Sequence, residues 1–436
     1  MINKYISNYF FLLFSFIPIS LILGSSVSLF NILLIDFSFL LLIVYLKDFS
    51  FLKNKSFQYL IVLYIYLIFN NFISVDREIG LARNLGFIRI IILFVAINYF
   101  FQKENFLKNV FYAWSLIIFV VLLDVLLESF SGKNIFGYGS EYGRRVLSFF
   151  KDEPIVGGFL NAFYLTLVGF WHLKSANKYK NFILIFSILI LFSILLTGER
   201  SNSIKAVLGI FLFYIFFREY QIKHKFYLTI IGLLIFIGII FSSDFLKLRY
   251  FYQIKSLVSD NKIYFKHYKS AYNVFKEKKF FGVGNKNYRV VACSKFREKA
   301  DIINSEFGEP SDVLGSHGPK ADNLVAQIEY VCTTHPHQVF FEFLSEHGIF
   351  GTIVILLLMY KLIFSKLIFN YKELNYIQLG SGIYIILTFL PLIPSGSFFS
   401  DYLLTLFSLN LSIFYASNKN FNIFFNSQNS KLDINN

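Results

Sequence analysis

Charge is scarce in this chain. Of 436 residues only 16% are Asp, Glu, Lys or Arg, whereas 56% are hydrophobic and the mean hydropathy is +0.58. That balance excludes an ordinary soluble domain and points to an all-α polytopic membrane protein. Cysteine is almost absent, with only Cys293 and Cys332. No Cys/His/carboxylate spacing resembles a closed zinc site, and no Asp-x-Asp pair offers a divalent cation to a sugar nucleotide, so no metal or other cofactor is expected. The glycine run at Gly282 and Gly284 lacks a following Lys-Ser/Thr and a preceding strand pattern, which excludes a nucleotide loop. Also missing are an internal repeat, a soluble catalytic domain, and a small-residue cleavage site after the first apolar span.

What the chain does have is apolar runs near the roughly 20 residues a bilayer crossing needs. Twelve are expected, at about 9–25, 27–46, 57–75, 85–101, 108–127, 154–173, 181–197, 204–218, 226–243, 346–364, 375–395 and 398–416. Alternate links carry Lys47/Lys53/Lys55, Lys103/Lys108, Lys174/Lys178/Lys180, Arg218/Lys223/Lys225 and Lys361/Lys366/Lys372. By the positive-inside rule those links and both termini are cytoplasmic. The net charge of +14 is therefore a topology signal. It is dispersed over many links, which argues against nucleic acid as a partner. The 58 Phe and 28 Tyr accompany abundant Ile, Asn and Lys, as an A/T-rich coding sequence would give, and carry no role as a group.

The domain reading follows. Residues 1–243 hold spans one to nine, 244–337 form one large outer-face loop, 338–416 hold the last three spans, and 417–436 form an Asn-rich loose cytoplasmic tail. Both cysteines fall in the large loop, the one region expected to be oxidising. They are either a disulfide or two unrelated thiols.

Where that loop re-enters the apolar chain stands Thr334-His335-Pro336-His337-Gln338, followed after nine residues by Gly348-Ile349-Phe350-Gly351. A base that titrates near neutral pH is thus placed where a lipid-borne substrate could meet a water-borne one. A helix running from His337 would put His337, Phe341, Leu344 and Gly348 on one face, with the glycines admitting a neighbouring helix beneath the histidine. The alternative is a histidine pair at a loop–helix junction without chemistry.

Other candidates also lie on the outer face. Thr197-Gly198-Glu199-Arg200-Ser201 is a short link, and its guanidinium suits an oxyanion, unless Arg200 only reaches lipid headgroups. The link from Gly132 to Pro154 contains Arg145 and Glu153 and reads as an ordered loop or a plain connector. Asp36, Asp124 and Arg89 are ionisable residues within or near spans, which usually face a cavity or a partner.

Taken in order, these elements resemble the O-antigen ligase and O-antigen polymerase superfamily of bacterial inner-membrane glycosyltransferases. The resemblance runs from about Arg83 to Gly351. It rests on Gly132–Gly137 with Arg145–Glu153, on Gly198-Glu199-Arg200-Ser201, on Phe281–Gly284 with Tyr288, Arg289 and Cys293, and on Cys332–Gln338 with Glu346 and Gly348–Gly351. It implies transfer of a glycan from undecaprenyl diphosphate to an acceptor hydroxyl at the periplasmic face, without metal. The acceptor would be lipid A–core for a ligase or a second lipid-linked glycan for a polymerase, with membrane lipids around both. His337 matches the family's general base and Arg200 its diphosphate-binding arginine. His335, Gln338, Arg145, Glu153, His267 and Glu346 are supporting residues. The chain departs where many members have an arginine and a tryptophan before the loop glycines, since His267 and Tyr268 stand there. Arg289 is the expected second diphosphate arginine, with Lys262 and Lys266 as rivals. A lipid-linked oligosaccharide transporter would instead need polar residues along a midplane path, which only Asp36 supports, and a structural envelope partner is a further alternative.

Overall fold

The computed structural model describes residues 4–139, 145–151, 153–174, 180–217, 243–253, 263–307 and 329–425, together with scattered positions between 230 and 241. Regular structure among them is helical throughout. The membrane-type helices before the large loop are α1 (Lys4–Leu23), α2 (Ser25–Leu46), α3 (Lys55–Phe72), α4 (Arg77–Phe101), α5 (Glu104–Ser131), α6 (Val156–Lys174), α7 (Lys180–Leu196) and α8 (Arg200–Phe216). The large loop contributes α9 (Ile263–Glu277) and α10 (Tyr288–Phe307). After it come α11 (Val339–Met359, continued to Phe369), α12 (Tyr376–Thr388) and α13 (Asp401–Ala416).

Among the described residues six helices are long and apolar enough to cross a membrane, namely α1, α2, α4, α5, α6 and extended α11. The others at expected spans are shorter, from 18 residues in α3 down to 13 in α12. The ninth expected span, about 226–243, lies mostly outside the described residues.

The centre of the bundle is α6 against α12. A Cβ on Gly169 would stand 2.1 Å from the Tyr376 carbonyl oxygen, and one on Gly380 would stand 2.1 Å from that of Leu165. The two backbones touch because glycine leaves no side chain between them, the usual device where helices pack without a hydrophobic driving force. Beyond α12 the expected span does not continue. Pro391 and Pro394 cannot prolong a helix, so the chain runs as an irregular strap from Phe389 to Ser400 before Ser400 caps α13 by accepting from the Leu403 amide. Such backbone is tolerated at membrane depth only where it lines a cavity or is buried in protein.

The large loop forms a small lobe with its own core of Ala271, Val274, Val283, Tyr288, Ala292 and Tyr330. It is seated on α11 where Gly348 breaks the helix with φ 64° and ψ −169°. Across that break Val283 and Gly284 amides donate to Ser345 and Glu346 carbonyls, both at 2.9 Å, and Ile349 and Phe350 amides donate back to Lys279 and Phe280. Gly348 therefore receives a loop; the close helix beneath it is α3, whose Tyr66 meets Gly351. Four asparagines complete the docking. Asn70 accepts from the Asn285 amide at 2.8 Å, Asn285 donates to Asn84, and Asn287 accepts from the Asp76 amide at 2.7 Å.

The tail departs from its expected looseness as far as residue 425. Asn422 is buried and donates to the Asn98 carbonyl at 2.8 Å, and Phe424 rests on Phe51 and Tyr99, because this Asn-rich stretch also carries aromatics that the bundle can bury.

Candidate active site

The helix expected from His337 begins two residues later. Gln338 is its N-cap, with a side-chain oxygen accepting from the Phe341 amide at 3.0 Å, so an amide here starts the helix rather than touching a substrate. His337 itself has φ 59°, a left-handed conformation unusual for a side chain with a Cβ. Its carbonyl accepts from the Ser395 amide at 2.8 Å. The proline strap is in turn held by Glu342 in the first turn of α11, whose carboxylate accepts from Ser397 Oγ at 2.6 Å and the Phe398 amide at 2.9 Å.

Three histidines meet at this point. The His337 ring lies 4.2 Å from that of His335 and 4.9 Å from that of His267 on α9. Burial, helped by His267, pulls the His337 imidazole down to about 4, and burial with His337 alongside does the same to His335. Burial alone lowers His267. All three are therefore neutral near pH 7.

His335 and His337 open onto a cavity of about 640 Å³. Its walls bring together residues far apart in the chain, including Arg145, Glu153, Arg200, Arg249 and Lys286, with the strap at Pro394–Ser397 closing one side. Each arginine is placed by a local device. Arg145 stands in the link ordered by two buried acids of α5: Glu128 accepts from the Leu147 and Ser148 amides, and Asp124 accepts from Ser148 Oγ at 2.6 Å and the Ile135 amide at 2.8 Å. Asp124 is thus an organiser of that loop. Arg200 opens α8 beside Glu199, whose carboxylate takes the Gly157 and Gly158 amides at the start of α6 and the Asn202 amide group. Burial pushes Glu199 up to about 7, and those three donors hold it from rising further. Arg249 extends from a short helical segment at the start of the large loop and donates twice to the Gly198 carbonyl, at 2.9 and 3.2 Å. Burial and the adjacent Arg145 and Arg200 lower it to about 10.

Arg289, expected as the second diphosphate arginine, is not on the cavity. Tyr288 is fully buried in the loop lobe, so the next residue of α10 faces outward and Arg289 is exposed. Arg249 and Lys286 do line the cavity. The rival Lys262 lies outside the described residues, and Lys266 is exposed. Glu346 is buried behind the site, accepting from the Tyr288 amide at 3.3 Å. Cys293 and Cys332 are bonded and tie α10 to the segment that leads into His335. Of the intramembrane acids, Asp36 is buried with no hydrogen-bond partner among the described residues.

Residues 185–356 match the family model described as O-antigen ligase. That match covers less than half of the chain, and it supports the O-antigen ligase and polymerase superfamily. No curated protein matches the chain. The matched segment carries Arg200, Arg249, Lys286, both cysteines and both cavity histidines, whereas Arg145 and Glu153 lie before it. The family match and the long apolar helices support a membrane protein.

Proposed function

We propose that the chain transfers a glycan from a polyprenyl diphosphate carrier to an acceptor hydroxyl at the outer face of the bacterial inner membrane, as an O-antigen ligase with lipid A–core as acceptor. The observation that carries this reading is the convergence of Arg145, Arg200 and Arg249 on one cavity with a neutral His337. Like charges repel, so gathering guanidinium groups is unfavourable unless an anion completes the set. Guanidinium is also the group best shaped for phosphate oxygens.

The chemistry is a single displacement. The acceptor oxygen forms a bond to the anomeric carbon as the bond from that carbon to the diphosphate oxygen breaks. The electron pair leaves with the lipid diphosphate, and the acceptor proton passes to His337. Negative charge grows on the leaving oxygen, where fixed arginines stabilise the transition state more than the ground state. The carrier's charge is met by these side chains, so the reading is metal-independent. In this reading the shorter helices also cross the bilayer, giving twelve spans with both termini cytoplasmic, the loop lobe over the periplasmic mouth, and the last residues of the chain as a cytoplasmic tail.

The cationic residues of the cavity form one cluster, which supports a ligase over a polymerase, because a polymerase must hold two diphosphate lipids at once. Deletion should leave long glycans on the lipid carrier and bare lipid A–core at the surface. Single repeat units attached to core would instead identify a polymerase.

A further inference from the structure

Two cationic side chains of the cavity, Lys205 and Lys286, are left over by this account, and Lys205 is the more deeply buried. Lys205 lies on α8, is 9% exposed, lines the cavity, and has no hydrogen bond or ion pair among the described residues. A lysine on a lipid-facing side could reach the headgroups. This one is nearly buried and lines the cavity together with the buried Asn161, Tyr384 and Thr388. An ionisable group there is expensive and is kept where it meets a ligand or a partner.

Its depth says which part of a ligand it would meet. Arg200 is the first residue of α8 and Lys205 is five residues on, about 7.5 Å along the axis at the usual rise. Helical side chains lean toward the N-terminus, so the Lys205 ammonium reaches back toward the arginines. The two cations then bracket a space that two linked phosphates can fill. In a lipid diphosphate the phosphate nearest the tail sits deepest, because the tail stays in the bilayer.

We propose that Lys205 binds the lipid-proximal phosphate of the carrier, while Arg145, Arg200 and Arg249 hold the sugar-proximal one, making Lys205 the residue that distinguishes a lipid diphosphate from a lipid monophosphate. This rests on the reading of the cavity as the carrier site and adds a specificity role to it. Lysine suits the position, being a compact charge on a long stem that can follow one phosphate without a fixed fork.

The test uses the full chain in lipid nanodiscs, with polyprenyl diphosphate and polyprenyl monophosphate as competing probes. The intact protein should prefer the diphosphate by roughly tenfold or more, the range of one charge-assisted contact. Lys205→Met keeps length and removes charge. It should bind the monophosphate as the intact protein does and lose the preference. Retention of the preference in Lys205→Met overturns the assignment. If Lys205→Met fails to accumulate, Lys205→Gln is read by the same two outcomes. If the intact protein binds neither lipid, the carrier-site reading itself fails and the role of Lys205 falls with it. If it binds both equally, only the role of Lys205 fails.

Discussion

The carbonyl of His337 is held by the amide of Ser395 at 2.8 Å, joining the large loop to the strap between α12 and α13. Those residues are 58 positions apart, and the contact fixes a histidine whose φ of 59° is unfavourable on its own. Left-handed backbone at a residue with a Cβ persists only where surrounding contacts determine it.

Ser395→Pro removes that donor while leaving the cavity's charged groups in place. Glycan transfer should fall by roughly tenfold to a hundredfold, the scale on which a small misplacement of a reacting group is felt. Donor binding should change little. Equilibrium binding and single-turnover transfer on the same preparation separate the two, and unchanged transfer would remove the strap from the positioning of His337.

Arg249 and Arg289 should part company. Arg249→Ala takes a cation from the cavity wall and should weaken lipid diphosphate binding by at least about tenfold, as expected for a lost charge-assisted contact. Arg289→Ala changes an exposed site and should stay within about twofold, the range of surface substitutions. Isothermal binding of both variants checks this. Equal losses would mean that Arg289 reaches the site.

These two arginines show where the sequence was legible and where it was not. Arg200, Arg145 and His337, which the structure puts on the cavity, each lie in a short link or motif that the sequence singles out. Arg249 has no such setting, since Leu248-Arg249-Tyr250 resembles any junction, and only its two bonds to Gly198 reveal its direction. Lys286 is hidden in the same way, in a loop whose glycines and asparagines describe docking onto α3, α4 and α11. Pro391 and Pro394 are helix stops, yet both fall inside the span expected at about 375–395, because hydropathy averages over the break. The helix starts two residues after the expected His337. A histidine after proline fits the first turn, whereas Gln338 as a cap is decided by one side-chain bond to Phe341.

Acidity should affect transfer in a characteristic place. His337 is drawn down to about 4, so it remains an unprotonated base through neutral pH and loses that state as pH falls through about 4. The limb of kcat/KM due to His337 should therefore lie near 4, well below the ordinary imidazole value of about 6.5. His267→Ala removes a neighbour that lowers it and should move this limb upward. Any limb from Glu199, near 7, should stay where it is. A pH–rate profile in which His267→Ala shifts nothing would disconnect the two histidines.

Gly348→Ala should prevent stable folding of the loop lobe on α11. Its φ of 64° and ψ of −169° fall in a region that essentially only glycine occupies, and a Cβ there would lie 2.5 Å from backbone atoms of Gly282 and Phe280. The cost should be at least about 3 kcal/mol, because backbone cannot move aside as a side-chain tip can. Limited proteolysis of the outer loop and a thermal shift would show it. Intact resistance to protease would mean that the docking across the kink is dispensable.

The central claim is that His337 takes the acceptor proton in a cavity whose arginines hold the carrier diphosphate. The most direct measurement is single-turnover glycan transfer by purified His337→Ala, from a defined polyprenyl-diphosphate donor, with donor binding recorded on the same sample. The account predicts a loss of roughly a hundredfold to ten-thousandfold in transfer, the usual contribution of a general base, with donor binding retained. Transfer at the rate of the intact protein would contradict it.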